Sequence, residues 1–89
     1  MALLDLLGRR WALRILWELR DETLTFRALQ QASGGLSPSV LNTRLTELRE
    51  AALIELGTEG YTLTHLGRDL LNQLTPLHSW AEKWAKAIR

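Results

Sequence analysis

The stretch from Gly34 to Leu48, GGLSPSVLNTRLTEL, constrains the fold of this chain more than any other. Two adjacent glycines favour a sharp turn, because glycine adopts positive φ angles without steric penalty. Ser37 is a preferred N-cap residue, and the proline after it suits the first helical position, where its missing N–H group is not needed. The stretch therefore predicts a tight turn followed by a helix over residues 38–51.

The predicted helix has two different faces. Leu41, Leu45, Leu48 and Ala52 recur at helical spacing and predict one buried stripe. The opposite face carries Ser39, Asn42, Thr43, Thr46, Glu47 and Glu50, with Arg44 and Arg49 on the borders. Short hydroxyl and amide side chains can reach base edges in the major groove of DNA, and a flanking guanidinium can reach phosphate or guanine. An ordinary amphipathic surface helix is the alternative for this segment alone.

The segments around this helix predict a winged helix-turn-helix. Before it, a short leucine-rich helix is ended by Gly8, and a helix over 9–20 has Trp11, Ile15 and Leu19 on its buried side. A very short strand in 21–24 and a helix over 26–32 capped by Thr25 follow. After it, residues 53–56 and 61–63 are short apolar runs around a glycine-flanked connection, which is typical of a hairpin. Three helices followed by a hairpin give a mainly α fold with a small β-hairpin.

The last third of the chain predicts a long helix with an apolar stripe. Thr64 is its expected N-cap, Gly67 is expected to allow close backbone packing, and Pro76 is expected to kink or divide the helix. The stripe is longer than so small a domain can cover, and Trp80 and Trp84 lie one turn apart within it. We therefore predict a homodimer, with an intramolecular core as the alternative. The predicted interface residues are Leu3, Leu4, Leu7, Leu77, Trp80, Trp84 and Ile88.

Composition limits the function classes. The 89 residues carry a formal net charge of +1, so any basic footprint for DNA must be local. The candidates are Arg44, Arg27 and a patch of Arg9, Arg10 and Arg14, with a solvated face as the alternative for the patch. The chain has no cysteine, which excludes disulfides and thiol chemistry. Its start does not have the charge pattern of a signal peptide and no apolar run reaches membrane-spanning length, so we expect a cytoplasmic protein without membrane contact.

The sequence offers no catalytic constellation. His65 and His78 have no partners at metal-ligand spacing, and the serines have no base close by in the inferred fold. Gly34-Gly35 is not a phosphate loop, since no strand precedes it and no Gly-Lys-Ser/Thr follows. We predict neither an enzyme nor a metal or cofactor site.

Five segments in order resemble the HxlR-type winged-helix transcription regulators. They are Gly8-Arg-Arg-Trp11 with Ile15-Leu16, Phe26-Arg-Ala-Leu29, residues 36–48, Leu53-Ile54-Glu55, and Tyr61-Thr-Leu63-Thr64 with Gly67-Arg68-Asp-Leu70. The resemblance implies a homodimeric DNA-binding regulator, with the helix after Ser37 in the major groove and the terminal helices at the dimer interface. It also implies that Arg44 and the polar residues near the start of that helix contact DNA.

The chain departs from the family pattern at three places. It lacks the cysteine near the N-terminus that some members use for redox or electrophile sensing. Ala52 stands where the family has a glycine that ends the recognition helix, which places the usual left-handed cap in question. The wing connection, Gly57-Thr58-Glu59-Gly60, is short and contains an acid but no lysine or arginine.

These observations give one prediction for the whole chain. Residues 1–89 form a single winged helix-turn-helix domain, with an N-terminal dimerisation helix (1–8), a winged-helix core (9–63) and a C-terminal dimerisation helix (64–89). The partner is double-stranded DNA, the effector is unknown, and the alternative is a protein-interaction module that has lost most DNA binding. The predicted DNA-binding residues are Ser37, Ser39, Asn42, Thr43, Arg44, Thr46 and Arg27.

Overall fold

A computed structural model describes residues 2–89. The predicted N-terminal helix begins at Met1, which lies outside the described residues. In chain order the elements are helices α1 (Ala2–Leu7), α2 (Ala12–Glu18), α3 (Phe26–Ala32) and α4 (Pro38–Glu50), strands β1 (Ile54–Gly57) and β2 (Gly60–Leu63), and helix α5 (His65–Ala87). The two strands pair antiparallel with Ile54 opposite Leu63. This is the mainly α fold with a small β-hairpin that the sequence predicts.

The core lies between the helices and one face of the hairpin. Its fully or nearly fully buried side chains come from every element except α5 and include both the predicted α4 stripe and the apolar ends of the hairpin. They are Leu7, Ile15, Leu16, Leu19, Leu29, Leu36, Leu41, Leu45, Leu48, Leu53, Ile54, Tyr61 and Leu63. Helix α5 covers this core with the half-buried Leu70 and Leu71.

The turn between α3 and α4 has the geometry that its glycines predict. Gly34 and Gly35 have φ angles of 87° and 74°. Ser37 is the N-cap of α4, and its Oγ accepts a hydrogen bond from the Val40 N–H at 3.3 Å. Thr25 and Thr64 cap α3 and α5 in the same way, accepting from the N–H groups of Ala28 and Gly67.

Helix α4 ends in a left-handed residue even though that residue is alanine. Ala52 has a φ of 62°, its N–H donates to the Arg49 carbonyl, and the Leu53 N–H donates to the Leu48 carbonyl. These two bonds form a Schellman motif, which usually has glycine at this position. The left-handed cap is therefore retained, and Ala52 is exposed instead of continuing the buried stripe.

Two other local expectations differ from the structure. Trp11 is not part of α2; it precedes the helix with a φ of 77° and is half-buried against the core. The predicted strand at residues 21–24 is a single antiparallel bridge between Leu24 and Tyr61. In both cases the sequence pattern identified a structured segment but not its exact conformation, because the backbone bends there to pass from one element to the next.

Helix α5 runs without interruption from His65 to Ala87 with Pro76 inside it. Of the two outcomes expected at Pro76, a kink or a division, the division does not occur, because one missing N–H group is not enough to end a helix of 23 residues. Gly67 is buried in the first turn, where an added Cβ would overlap the backbone carbonyl of Leu53. The close packing expected of Gly67 is confirmed.

Candidate nucleic-acid interface

The outward face of α4 presents four neutral polar side chains. Ser39, Asn42, Thr43 and Thr46 are all exposed and recur at a spacing of three and four residues, so they share one face of the helix. The three leucines on the opposite side are buried and hold the helix against the core. The 13 residues of α4 span about 20 Å, at about 1.5 Å per residue. We call this set of four side chains the reading face.

The two threonines of the reading face have a defined hydrogen-bond state. Thr43 Oγ1 donates to the Ser39 carbonyl and Thr46 Oγ1 donates to the Asn42 carbonyl, each at 2.9 Å. Because the hydroxyl proton of each threonine points to the backbone, its Oγ1 presents lone pairs outward as a hydrogen-bond acceptor. The methyl group of each threonine lies beside that oxygen. Such threonines can accept from a base amino group or contact a thymine methyl.

Two further predicted DNA-binding residues lie in the helix-turn-helix, Ser37 at the start of α4 and Arg27 on α3. Ser37 is exposed at the N-cap of α4, and its Oγ is already the acceptor for the Val40 N–H, which leaves its hydroxyl proton to donate. Arg27 is exposed on α3, and it has no ion pair among residues 2–89. Neither side chain would have to break an ion pair or hydrogen bond among residues 2–89 to bind a phosphate oxygen.

Arg44 is held differently from the other predicted DNA-binding residues. Its side chain is 21% exposed, its Nε–H donates to the Arg10 carbonyl at 2.8 Å, and its Nη1 donates to Glu47 Oε1 at 2.7 Å. Glu47 Oε2 contacts the Arg9 guanidinium. Glu47, expected on the outward face, is instead half-buried between the Arg9 and Arg44 guanidinium groups.

The expected positive patch at Arg9, Arg10 and Arg14 is divided among intramolecular partners. Arg14 donates to Glu18 and to the carbonyl of Ala32 at the end of α3. The Arg10 guanidinium lies 5.1 Å from the centre of the Trp11 ring. Arg9 and Arg10 are exposed, but only part of their charge is available to an approaching phosphate.

The wing is shorter than the sequence suggested. Gly57 and Gly60 pair with each other at the ends of the strands, so only Thr58 and Glu59 form the connection. Residues 54–63 contain Glu55 and Glu59 and no basic residue, and both glutamates are exposed. The tip of the hairpin therefore brings negative charge to the surface.

An uncovered apolar face runs along α1 and α5. Its large exposed side chains include six of the seven residues predicted at the dimer interface, of which Leu3 is the least exposed, and Leu66 in addition. They are Leu3, Leu4, Leu66, Leu77, Trp80, Trp84 and Ile88. The Trp80 and Trp84 rings stack with centroids 6.5 Å apart. Leu7, also predicted at the interface, is 9% exposed and packs in the core of its own chain, so we leave it out of the apolar face.

Within residues 2–89 no group of three or more His, Asp or Glu side chains is arranged to hold a metal ion. Over the same residues, no helix combines the length and apolarity needed to cross a membrane. The ring of His78, on α5, stacks on the ring of Trp17, on α2, with ring centroids 5.1 Å apart.

Comparison with known proteins finds related transcriptional regulators. An HTH-type transcriptional regulator of Methanocaldococcus jannaschii, itself uncharacterized, is 28% identical over 98% of this chain and 86% of its own length. YvaP of Bacillus subtilis, another uncharacterized HTH-type transcriptional regulator, is 29% identical over 90% of this chain and 81% of its own.

Solved structures show the same architecture. The quinone-bound form of YodB from Bacillus subtilis superposes with a TM-score of 0.86 and 29% identity, covering 92% of this chain and 93% of that one. A possible HxlR family transcriptional factor from Thermoplasma volcanium superposes with a TM-score of 0.84 and 25% identity, covering 94% and 82%. The sequence profile of the HxlR-like helix-turn-helix family matches residues 6–89. The chain belongs to the HxlR-like helix-turn-helix family and is a transcriptional regulator, not an enzyme.

Proposed function

We propose that this chain is a sequence-specific DNA-binding regulator that acts as a homodimer, with the reading face of α4 in the major groove. The observation that carries the proposal is the reading face itself. Four exposed, neutral, hydrogen-bonding side chains lie on a helix whose other side is fixed in the core. A helix of this width fits the major groove, which is about 12 Å wide.

Each residue of the reading face has a distinct role in the proposal. Asn42 is central, exposed, and its carboxamide makes no hydrogen bond within residues 2–89, so it can donate to and accept from adenine at once. Thr43 and Thr46 act as acceptors for base amino groups, and Ser39 approaches the groove one turn nearer the start of the helix. Together they read bases and add no charge.

Affinity for the backbone must then come from groups around the reading face. Arg27 and the Ser37 hydroxyl are free to bind phosphate, and backbone N–H groups at the start of α4 favour an anion. The wing contributes no cation. We therefore infer that fewer phosphates are neutralised per subunit than a basic wing would allow.

The apolar face supports a second copy of this chain as the other partner. Trp80, Trp84, Leu77 and Ile88 are each at least half exposed on one side of α5. Covering each large apolar side chain stabilises an assembly by roughly 1.5–3 kcal/mol. A two-fold contact of α1 and α5 would bury this face and place two α4 helices on one side of the dimer, ready for two half-sites. A DNA-bound regulator of this kind acts in the cytoplasm.

A salt titration on random duplex DNA tests the DNA-binding part of the proposal. Fluorescence anisotropy with a labelled short duplex pool should show binding at low salt that weakens steadily as salt rises, with a slope of about −0.9 per neutralised phosphate. Arg27→Ala should reduce the magnitude of that slope by about 0.9 per subunit, which is about 1.8 for the dimer. Lys83→Ala removes the same charge from the far part of α5 and should leave the slope unchanged.

A chain that shows no duplex binding at the lowest salt would contradict the proposal. The near-neutral net charge and the acidic wing would then favour the alternative, a winged-helix module that works through protein contacts.

A further inference from the structure

The α1–α2 turn is tied to the recognition helix by four charged residues, Arg9, Arg10, Arg44 and Glu47. Arg44 uses its Nε–H on the Arg10 carbonyl and its Nη1 on Glu47. The second carboxylate oxygen of Glu47 contacts the Arg9 guanidinium. We call this cluster the clamp.

The clamp is partly removed from water. The Arg44 and Glu47 side chains are each 21% exposed, whereas Arg9 is 47% exposed. Charged hydrogen bonds with this degree of burial hold their geometry better than exposed pairs, which exchange readily with water. The planar fork of arginine suits this position, because one guanidinium must serve a carbonyl and a carboxylate in two directions.

The clamp also lies beside a backbone conformation that needs support. Trp11 has a φ of 77°, which is unfavourable for a bulky side chain and persists only where surrounding contacts hold it. The Arg10 carbonyl that receives Arg44 belongs to the peptide immediately before Trp11. Arg44 therefore fixes the turn that joins α1 to α2 and, through the same bonds, fixes the position of α4 against that turn.

We propose that Arg44 is a positioning residue that remains in the clamp when DNA binds, instead of contacting a phosphate or a guanine. Glu47 orients the Arg44 guanidinium, and Arg9, on the α1–α2 turn, contacts the other carboxylate oxygen of Glu47. The inference rests on the proposed role of α4 as the reader of DNA. The clamp therefore connects the turn after α1, which lies on the proposed dimer face, directly to the helix that carries the reading face.

The side-chain Nε–Hε resonance of Arg44 provides a test that does not depend on DNA binding. In ¹H–¹⁵N spectra of the full chain at neutral pH, we expect this resonance to be protected from exchange with water. Glu47→Gln keeps the shape of the side chain but removes its charge, and it should shift both the Arg44 Nε–Hε and the Trp11 amide resonances. Glu18→Gln breaks the similar pair with Arg14 and should shift neither. Unprotected Arg44, or no response to Glu47→Gln, would overturn the clamp.

Addition of random duplex DNA tests whether Arg44 remains in the clamp when DNA binds. The Arg44 Nε–Hε resonance should keep its position and protection, while the amide resonances of the reading face shift. A loss of protection on binding would show that the guanidinium moves to DNA and would overturn the proposal. If wild type shifts no resonance with DNA, the proposed function fails, while the response to Glu47→Gln still decides whether the clamp exists.

Variants of Arg44 separate positioning from phosphate binding. Arg44→Ala should leave the salt slope on random duplex unchanged, whereas loss of a phosphate contact would reduce its magnitude by about 0.9 per subunit. Its preference for a duplex selected by wild type over the random pool should fall about tenfold, the scale of one lost base contact. Arg44→Lys keeps the charge but lacks the fork, so it should lose the same preference. Full rescue by lysine, or a reduced slope in Arg44→Ala, would show that Arg44 contacts phosphate.

Discussion

Replacing Ala52 with glycine should stabilise this protein. Ala52 holds a φ of 62° at the position where a helix-ending Schellman motif normally has glycine. Both backbone bonds of the motif are present, at 2.9 Å from Ala52 to Arg49 and 3.0 Å from Leu53 to Leu48. The motif is therefore complete, and only the methyl group of Ala52 opposes it.

The size of the effect follows from two opposing terms. A left-handed conformation costs an ordinary L-residue roughly 1–2 kcal/mol, and glycine avoids that cost. Glycine also gains freedom in the unfolded chain, which lowers stability by about 0.4–1 kcal/mol. Because Ala52 is exposed, its methyl group contributes little burial. The net stabilisation is about 0.5–1 kcal/mol, which raises Tm by roughly 2–8 °C for a domain of this size.

Ala51 provides a matched control one residue earlier. It has a φ of −81° and is half-buried, so glycine relieves no strain there and removes a packed methyl group. Ala51→Gly should lower Tm while Ala52→Gly raises it. Both are measured by circular dichroism at one fixed protein concentration, since dimerisation makes Tm depend on concentration. Equal destabilisation by the two variants would refute the left-handed assignment of Ala52.

Three further changes test other parts of the account. Gly67→Ala should destabilise the chain to urea by about 1–3 kcal/mol or more, because the new Cβ meets the Leu53 carbonyl. Trp80→Ala combined with Trp84→Ala should convert a dimer to monomer or unfold it, as followed by light scattering. Glu59→Lys should strengthen binding to random duplex and steepen the salt slope by about 0.9 per subunit if the wing tip lies near the DNA backbone.

Each of these changes has a control on the same chain. Gly57→Ala meets only a backbone oxygen at 3.9 Å and should change stability little. Leu56→Ala removes an exposed apolar side chain from the wing and should leave the dimer intact. Glu82→Lys makes the same charge change on α5 and should not alter the slope. A wild type that is monomeric at micromolar concentration would contradict the proposed interface, and an unchanged slope for Glu59→Lys would mean that the wing points away from DNA.

The features that the sequence predicted well are those decided by short-range interactions. Ser37, Thr25 and Thr64 cap their helices because a side-chain oxygen needs only an N–H group three residues ahead. The buried stripe of α4 and the pairing of the hairpin follow from periodicity and turn residues in the same local way.

The features that the sequence missed depend on contacts between distant segments. Arg44 was placed at the border of the reading face, but its partner is the carbonyl of Arg10, 34 residues away. Only the spacing of three between Arg44 and Glu47 could have indicated an ion pair. Trp11 carries no sign of its left-handed φ, because surrounding contacts hold a conformation that its own propensity disfavours. At position 52 only the glycine of the family pattern indicated a left-handed residue, since alanine itself disfavours it.

The most direct measurement of the central claim compares Asn42→Ala with wild type on two kinds of DNA. Sequences bound by wild type are first selected from a random duplex pool, and the affinity of each variant is then measured for a selected duplex and for the pool. We predict that Asn42→Ala loses about 1–3 kcal/mol on the selected duplex and almost nothing on the pool, since Asn42 reads a base. Asn72→Ala, which changes an exposed asparagine on α5, should match wild type on both. If wild type enriches no sequence, or if Asn42→Ala weakens both kinds of DNA equally, α4 does not read bases and the account is contradicted.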